Sequence, residues 1–441
     1  MNTPVEGFSK LSKEEKIDWI ARYYTQNPES TKKILAQYWN TEPKLQKLHD
    51  EFIENTITNY YLPLGIAPNF CINGKLYAIP MAIEESSVVA AASKAAKYWR
   101  NKGGFTATVL GTEKIGQIHF MYRGNPERLK TYVAAVRPKL LEKAKPITQK
   151  MEQRGGGISE IVLKDKTTDL DHYYQLHCTF ETLDAMGANF INSCLEQLAR
   201  TFTEEALQSD LLDKEERHLE IVMSILSNYV PNCLVRAVAE CPLNQLHSGT
   251  ALSPRAFAKK IVQAVRIAEV EPYRAVTHNK GIMNGIDAVV LATGNDFRAV
   301  EAGIHAYATK DGNYTSLSRA EITDDTFRFW IEVPLALGTV GGLTGLHPLV
   351  KLALEILGNP SSRELMQIVA VAGLAQNFAA LQSLVTTGIQ QGHMKMHLLN
   401  ILNQMNASDG EKKRLISYFT DKTVTHAAVK DALDNIRNGD V

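Results

Sequence analysis

Four short stretches carry side chains whose types suit acid–base or electrostatic chemistry. "EESSVVAAAS" opens with the adjacent acids Glu84 and Glu85, and "HNKGIMNG" holds Lys280. "GNDFRAVEAG" holds Asp296, and "GIQQGHMKMH" holds His393. A carboxyl group donates or accepts a proton, an ammonium stabilises a developing oxyanion, and an imidazole transfers protons near neutral pH.

Each stretch also has an ordinary structural interpretation. Glycine and asparagine around Lys280 and Asp296 favour sharp turns, so the two stretches indicate either surface turns or charges held close to a ligand. Acids ahead of a helix interact favourably with its dipole, which accounts for Glu84 and Glu85 without any catalytic role. Alternatively, one of the two acids is a proton donor held in a pocket, where burial would have to raise its pKa.

His393 and His397 are four residues apart and share one face if the segment is helical. A zinc-protease helix needs glutamate directly after the first histidine, and Met394 stands there instead. The alternatives are a surface histidine and a proton shuttle beside Gly392 on a mobile segment.

"LDAMGANF" places Gly187 and Asn189 where a predicted strand passes into a helix. The start of a helix beside a glycine is a ready anion site, although an ordinary strand-to-helix turn has the same appearance. No G-x-G-x-x-G follows a strand, and "GTVGGLTG" has the glycines without the spacing. A Walker loop and a G-x-S-x-G elbow are absent as well, which argues against nucleotide hydrolysis and serine hydrolase chemistry.

The surrounding pattern predicts an α+β fold. "SSVVAAASKAAKYWRNKGG" predicts a helix that ends at Gly103-Gly104, and Ser12 and Ser30 are predicted N-caps of two earlier helices. From about residue 105 to 180 the sequence alternates as strands do, with "NPERLKTYVAAVRPKLLEKAKPI" as a helix between two of them. This order predicts a compact α+β domain inserted between helical flanks.

Composition narrows the function classes. The 441 residues carry no formal net charge, so no global field attracts nucleic acid or an anionic membrane. Apolar stretches such as 286–293 are too short to span a bilayer, and the N-terminus lacks a signal-peptide core. Five scattered cysteines without a C-x-x-C pair predict a reducing cytoplasm, and argue against a disulfide framework or a thiolate metal site.

Taken in order, "EESSVVAAAS", "DAMGAN", "HNKGIMNG", "GNDFRAVEAG", "GLAQN" and "GIQQGHMKMH" resemble 3-hydroxy-3-methylglutaryl-CoA (HMG-CoA) reductase. The resemblance is closest to the shorter, mostly bacterial class II and covers nearly the whole chain. It implies a four-electron reduction of HMG-CoA to mevalonate and CoA by two NAD(P)H, or the reverse reaction in mevalonate catabolism. It also implies dimers or dimers of dimers with active sites at the subunit interface.

The resemblance assigns roles residue by residue. Its catalytic set corresponds to Glu85, Lys280, Asp296 and His393, with Asp296 between Lys280 and Glu85 and no role for His397. The implied substrate-binding residues are Ser87, Asn228, Arg274, Asn284 and Gln376. The implied cofactor-binding residues are Asp184, Met186, Gly187, Asn189 and Thr148, and no metal is implied.

Three positions depart from the family pattern. Ser9 stands where better-known members carry an arginine for a CoA phosphate, with Lys10 beside it as a substitute. Thr58 replaces a glycine of the "ENxxG" motif. Thr148 stands where NADH-preferring members carry aspartate; loss of that carboxylate predicts a preference for NADPH, with NADH as the alternative cofactor.

The implied architecture is a helical large domain (1–111 and 222–388) with a small ferredoxin-like, non-Rossmann dinucleotide domain (112–221) and a mobile helical C-terminal flap (389–441). Two other functions stay open at this point. One is a CoA thioester hydrolase or lyase on the same scaffold, and the other is an inactive regulatory relative that binds CoA.

Overall fold

The computed structural model describes residues 4–386, 388, 398–420 and 422–438. It divides into two compact units, Met1–Pro63 and Leu64–Val441, which are taken in turn.

The first unit is helical. Its helices are α1 (Lys13–Tyr24), α2 (Pro28–Gln37) and α3 (Pro43–Asp50). Ser12 caps α1 through a reciprocal capping box with Glu15, as the sequence predicts. The prediction of Ser30 as the cap of α2 is wrong: Asn27 accepts the amide of Ser30, and Pro28 occupies the first turn, where its missing N–H costs nothing. Thr58, the departure from the family pattern, donates its hydroxyl to the carbonyl of Leu35 at 2.7 Å.

The described residues of the second unit form ten strands. They are β1 (Leu64–Ile72), β2 (Lys75–Ala82), β3 (Thr106–Val109), β4 (Lys114–Met121), β5 (Gly157–Asp165), β6 (Tyr173–Glu181), β7 (Glu220–Ser227), β8 (Leu234–Pro242), β9 (Ser318–Thr323) and β10 (Thr326–Pro334). All named strand pairs are antiparallel. They form a β1-β2 hairpin and two four-stranded sheets, β3-β8-β10-β9 and β5-β6-β4-β7.

The second unit also contains helices. They are α4 (Val88–Arg100), α5 (Pro126–Glu152), α6 (Ala188–Leu207), α7 (Pro254–Val270), α8 (Pro272–Ala292), α9 (Phe297–Tyr307), α10 (Leu343–Leu346), α11 (Pro348–Ile356), α12 (Ser362–Val385), α13 (398–404), α14 (Asp409–Tyr418) and α15 (His426–Asn438). The predicted alanine-rich helix is confirmed as α4, and the predicted strands between 105 and 180 are confirmed as β3 to β6. The result is a mixed α/β fold with several antiparallel sheets.

The sheet β5-β6-β4-β7 has its own core. Its elements follow the order β4, α5, β5, β6, α6, β7, so two helices return the chain between antiparallel strands. Buried side chains such as Phe120, Leu176 and Phe202 pack between the sheet and α5 and α6. The sheet includes β7 and therefore extends to Ser227, while the domain boundary at 221 stays a prediction.

The largest core surrounds α12. This helix packs against α8 and α4 and the sheet that contains β8, and its side chains from Leu365 to Leu381 are nearly all buried. It is also long and apolar enough to cross a membrane, contrary to the expectation that all apolar stretches are too short. However, 78% of its most apolar window is buried inside the protein, as in the core helix of a globular fold.

The stretch around Lys280 is a helix. The interpretation of Asn279 to Gly281 as a turn is wrong, because α8 runs without interruption from Pro272 to Ala292. Packing overrides the low helix propensity of these residues. Gly285 is needed here because a Cβ at this position would lie 2.4 Å from the carbonyl oxygen of Ala372 on α12. The two helices therefore approach closely at that point.

The C-terminal helices α13 to α15 share a small apolar cluster. Leu402, Leu415 and Val429, one from each helix, are buried in it. The short helical appendage predicted from this part of the sequence is confirmed as local structure, and its role as a flap stays a prediction.

Candidate active site

Lys280 and Glu85 meet directly. The Nζ of Lys280, on the outer face of α8, lies 2.6 Å from Oε2 of Glu85, which precedes α4. The two residues are 195 positions apart in the chain, so the contact is produced by the fold alone. Their side chains are 59% and 40% exposed, which leaves both groups accessible to a ligand. Glu84 is exposed as well and fits the helix-dipole interpretation.

The two residues before Lys280 hold α8 in place. Asn279 is fully buried, donates to the carbonyl of Thr315 at 2.9 Å and accepts the amide of Leu317 at 3.0 Å. His278 is buried as well, and its Nε2 lies 2.6 Å from Oγ of Ser318. This explains the order of residues in "HNK": the histidine and the asparagine fix the helix from inside, and the lysine projects outward from a fixed position.

His278 also orients Arg274 one turn earlier. Burial lowers the pKa of His278 to about 3, and the charges of Arg274 and Arg319 add to this effect, so the ring is neutral. Nη2 of Arg274 lies 3.5 Å from Nδ1 of His278. A guanidinium only donates, so Nδ1 is the acceptor and Nε2–H donates to Ser318. Sequence reasoning missed this positioning role, although His278 stands inside the recognised motif.

Asp296 begins α9 and has its own partners. Its Oδ1 accepts the amides of Arg298 and Ala299 at 3.1 and 3.2 Å, and both its oxygens accept from the Arg298 side chain at 3.0 Å. Burial alone would raise the pKa of Asp296, but these hydrogen bonds and the Arg298 charge lower it below its usual value. Among the described residues, Lys280 pairs with Glu85 without Asp296 between them, so the expected three-residue arrangement is not present in this structure.

Another pair of acids joins α8 to α9. Asp287 is two helical turns after Lys280 on α8, and Glu301 is on α9, five residues after Asp296. Burial, followed by hydrogen bonding to Glu301 and its charge, raises the pKa of Asp287 to about 8. Asp287 is therefore mostly protonated at neutral pH. No sequence pattern indicated that these acids meet.

One cleft is lined by residues from three of the stretches quoted in the sequence analysis. It is lined by Ala185 to Phe190, by Gly294 to Asp296 and by the glycine-rich segment from Gly338 to Thr344. The last segment, "GTVGGLTG", pairs with the first through a parallel bridge between Ala185 and Val340. The sequence alone indicated no role for its glycines, and the fold brings them to the predicted dinucleotide loop.

Glycine is required at two points of this cleft. Gly187 caps α6 at a φ of 91°, and a Cβ there would lie 2.5 Å from the side chain of Thr182. A Cβ on Gly338 would lie 2.5 Å from the amide nitrogen of Met186. Asp184 holds the same loop to α12, because its Oδ1 accepts the amide of Ser362 at 2.7 Å. The loop is thus fixed at the start of α6, as expected of an anion-binding turn.

A small cavity lies next to this cleft. It is lined by Met186, by Asn228 directly after β7 and by Lys114 at the start of β4, with mostly apolar side chains around them. Asn228, predicted to bind substrate, thus lies beside Met186, predicted to bind cofactor. Lys114 was not singled out from the sequence.

Three further predicted substrate residues lie on or beside the helices near Lys280 and Glu85. Ser87 caps α4 at a φ of 77° without using its hydroxyl for the cap. Asn284 is one turn after Lys280 on α8 and is half-buried. Gln376, on α12 against Gly285, is buried, and its Oε1 has no hydrogen-bond partner among the described residues.

Thr148 is buried on α5 with 1% of its surface exposed. Its hydroxyl donates to Glu152 at 2.5 Å. In this arrangement the Thr148 hydroxyl is not free to reach a ribose. The carboxylate of Glu152 lies close to the position where NADH-preferring members carry aspartate. The contact of Thr148 with cofactor stays a prediction.

His393 and His397 lie outside the described residues. Within the described part of the chain, no group of three or more His, Cys, Asp or Glu side chains could hold a metal ion.

Comparison with known proteins decides the family. The family model of hydroxymethylglutaryl-coenzyme A reductase matches residues 12–398, which is most of the chain. The chain belongs to this family. It is therefore an oxidoreductase, and the relatives below place it in class II.

Two curated reductases are similar over most of their length. The 3-hydroxy-3-methylglutaryl-coenzyme A reductase of Archaeoglobus fulgidus is 37% identical over 440 residues, covering 99% of this chain and 96% of the relative. The probable reductase of Borreliella burgdorferi is also 37% identical, with 83% of each protein covered.

Solved structures of the family agree with the fold. The reductase of Streptococcus pneumoniae matches with a TM-score of 0.73 at 36% identity, covering 98% of this chain and all of that one. A structure of the class II enzyme from the same organism, bound to NADPH in open conformations, matches with a TM-score of 0.71 at 36% identity, covering 87% of this chain and all of that one.

Proposed function

We propose that this chain reduces HMG-CoA to mevalonate and free CoA, using two reduced nicotinamide dinucleotides per turnover. The observation that carries the proposal is the direct contact of Lys280 and Glu85 at 2.6 Å beside accessible solvent, in a member of the reductase family. Conversion of a thioester into an alcohol takes four electrons, so two hydrides are required.

The dinucleotide supplies the hydrides, and the cleft at the start of α6 fits it. Gly187 and Gly338 allow the segments that line the cleft to pack closely, and the amides at the helix start favour a phosphate. Asp184, Met186 and Asn189 are the proposed residues that hold the dinucleotide, together with Gly187. The sheet β5-β6-β4-β7 with α5 and α6 is the proposed ferredoxin-like dinucleotide domain.

Lys280 stabilises the oxyanion that forms when the thioester carbonyl accepts a hydride. A cation fixed close to this oxygen acts most strongly where the bound substrate excludes water. Support comes from the anchoring of α8 by Asn279 and His278, which holds the root of the lysine in place. The hemithioacetal then collapses to an aldehyde and a thiolate.

His393 protonates the departing thiolate in this proposal. A free thiol has a pKa of about 8.5, so protonation assists its release near neutral pH. Glu85 supplies the proton that the aldehyde oxygen takes up with the second hydride. In the present structure Asp296 is held by Arg298. In this proposal it joins Lys280 and Glu85 when bound substrate closes the site.

Arg274 is the proposed partner of the substrate carboxylate, since a forked guanidinium matches a carboxylate in two hydrogen bonds. Ser87, Asn228 and Asn284 hold the acyl group, and Gln376 lies near CoA. The unused hydroxyl of Ser87 and the unpartnered Oε1 of Gln376 support these roles. The active unit is a homodimer or larger assembly with sites at the subunit interface, in the cytoplasm; all five cysteines are free, in keeping with a reducing compartment.

NADPH is the proposed cofactor, with NADH as the alternative. Thr148 is neutral where an aspartate would repel the ribose phosphate. The class II enzyme of Streptococcus pneumoniae is bound to NADPH in its solved structure, which supports the same choice. Glu152, hydrogen-bonded to Thr148, works against this choice, because a carboxylate close to the ribose phosphate would repel it.

The test is a spectrophotometric assay of HMG-CoA-dependent oxidation of NADPH and of NADH, and of the reverse reaction from mevalonate and CoA. Oxidation that requires HMG-CoA supports the proposal. Release of CoA without oxidation of either dinucleotide would instead support a thioester hydrolase or lyase. Binding of CoA without turnover would support an inactive relative.

A further inference from the structure

Lys114 is a buried cation without a partner. Only 4% of the residue's surface is exposed, and its ammonium, which is not fully enclosed, makes no hydrogen bond or ion pair with any described residue. An unpaired charge in a protein interior is costly, so a lysine at such a site calls for an explanation. Two interpretations compete: a structural lysine that reaches solvent at its tip, and a charge placed for a ligand.

Glu181 does not neutralise Lys114. In the β4–β6 register Lys114 lies opposite Phe180, so the neighbouring Glu181 projects from the other face of the sheet. Glu181 uses its carboxylate for the hydroxyl of Thr112 and the amide of Leu183. The field of Lys114 reaches the buried thiol of Cys233, where it opposes the effect of burial on that pKa. The ammonium therefore acts electrostatically inside the protein.

The cavity that Lys114 lines is too small for a ligand. Its volume is ≈ 20 Å³, which is room for about one water molecule. The adjoining cleft has a volume of ≈ 340 Å³, and Met186 and Ala188 line both spaces. Lys114 is thus separated from the proposed dinucleotide cleft by a single layer of side chains. A direct ion pair with a bound carboxylate or phosphate would need more room than this cavity has.

We infer that Lys114 selects the oxidation state of the dinucleotide in the neighbouring cleft by charge. The inference rests on the proposed function, which requires a first oxidised dinucleotide to leave and a second reduced one to enter within one turnover. The oxidised nicotinamide ring carries a positive charge and the reduced ring carries none. The Lys114 ammonium, at the wall of the adjoining cavity, disfavours the oxidised form by repulsion and promotes this exchange.

The expected size of the effect of Lys114 on dinucleotide binding follows from Coulomb's law. Two unit charges about 10 Å apart at an effective dielectric constant of about 20 interact strongly enough to change an equilibrium constant by on the order of tenfold. The effect is seen most directly in the ratio of the dissociation constants of NADP⁺ and NADPH. The phosphates, riboses and adenine are identical in the two ligands, so their contacts cancel in this ratio.

The experiment measures both dissociation constants without turnover, NADPH by its fluorescence and NADP⁺ by competition against NADPH. The Lys114→Met variant keeps the length of the side chain and removes the charge. We expect it to lower the ratio by on the order of tenfold through tighter binding of NADP⁺. Lys114→Arg should keep the ratio of the natural protein, and Lys143→Met, at an exposed position of α5, should leave it unchanged.

Three results would overturn the inference. An equal change in both dissociation constants would mean that Lys114 contacts a part common to both ligands, and no change would mean that its charge does not reach the ring. A large loss of thermal stability in Lys114→Met would mean that the lysine has a structural partner; we expect stability to be kept or increased. A chain that binds neither dinucleotide contradicts the proposed function as well, whereas an unmoved ratio contradicts this inference alone.

Discussion

Replacement of Lys280 by alanine separates catalysis from stability. The ion pair with Glu85 joins two partly solvated side chains, 59% and 40% exposed. Pairs of this kind contribute at most about 1 kcal/mol to the free energy of unfolding. The anchoring of α8 resides in His278 and Asn279, which the substitution leaves in place. We therefore expect the Lys280→Ala protein to fold and to keep nearly its full stability.

The effect on turnover should be far larger. Loss of one donor to a reaction oxyanion costs about a hundredfold or more in kcat, which corresponds to about 2.7 kcal/mol. Lys280→Arg should not restore the rate, because the planar guanidinium cannot occupy the position of a compact ammonium. Lys259→Ala, at an exposed position of the neighbouring α7, is the matched control and should be neutral.

The assay is steady-state oxidation of NADPH with HMG-CoA, accompanied by thermal unfolding of the same preparations. Turnover near that of the natural protein in a folded Lys280→Ala variant would refute the role of Lys280. A variant that loses activity because it unfolds would refute the assignment of helix anchoring to His278 and Asn279.

Three further predictions concern other residues. His393→Gln should abolish reduction of HMG-CoA but spare reduction of free mevaldehyde, which has no thiolate to release, while His397→Gln should be neutral in both assays; equal losses on the two substrates would refute thiol protonation by His393. Thr148→Asp should shift the ratio of kcat/KM toward NADH, and an unchanged ratio would mean that this position does not contact the ribose. Because the pKa of Asp287 is raised from 3.8 to about 8 in the folded protein, the folded state binds more protons than the unfolded chain between these values, and stability should fall as pH rises through about 8. Asp287→Asn should remove this pH dependence in thermal unfolding curves, and an unchanged profile would contradict the raised pKa of Asp287.

Local patterns of the sequence predicted the secondary structure well where periodicity and caps agree. The capping box at Ser12, the helix at α4 and the strands β3 to β6 follow from short-range rules. The segment around Lys280 does not, because its glycines and asparagine indicate a turn when taken alone. Contacts with residues far along the chain, such as Ala372 and Thr315, hold it as a helix.

In the candidate site, too, some features follow from local sequence and others depend on contacts between distant residues. The chemistry of Glu85 and Lys280 could be named from their motifs, yet their direct contact depends on how α4 and α8 pack. The place of Asp296 between them stays a prediction; in this structure its carboxylate pairs with Arg298, two residues later. Lys114 and the pair of Asp287 and Glu301 carry no local signal, since burial and partners of titratable groups arise only in the folded chain.

The stoichiometry of a complete turnover decides whether this chain carries out the four-electron reduction. Purified chain is supplied with HMG-CoA and excess NADPH, and the dinucleotide oxidised and the free thiol released are measured in the same sample. We expect two NADPH oxidised for each CoA released, with mevalonate as the product. Release of CoA with no oxidation of NADPH or NADH would contradict the proposed function.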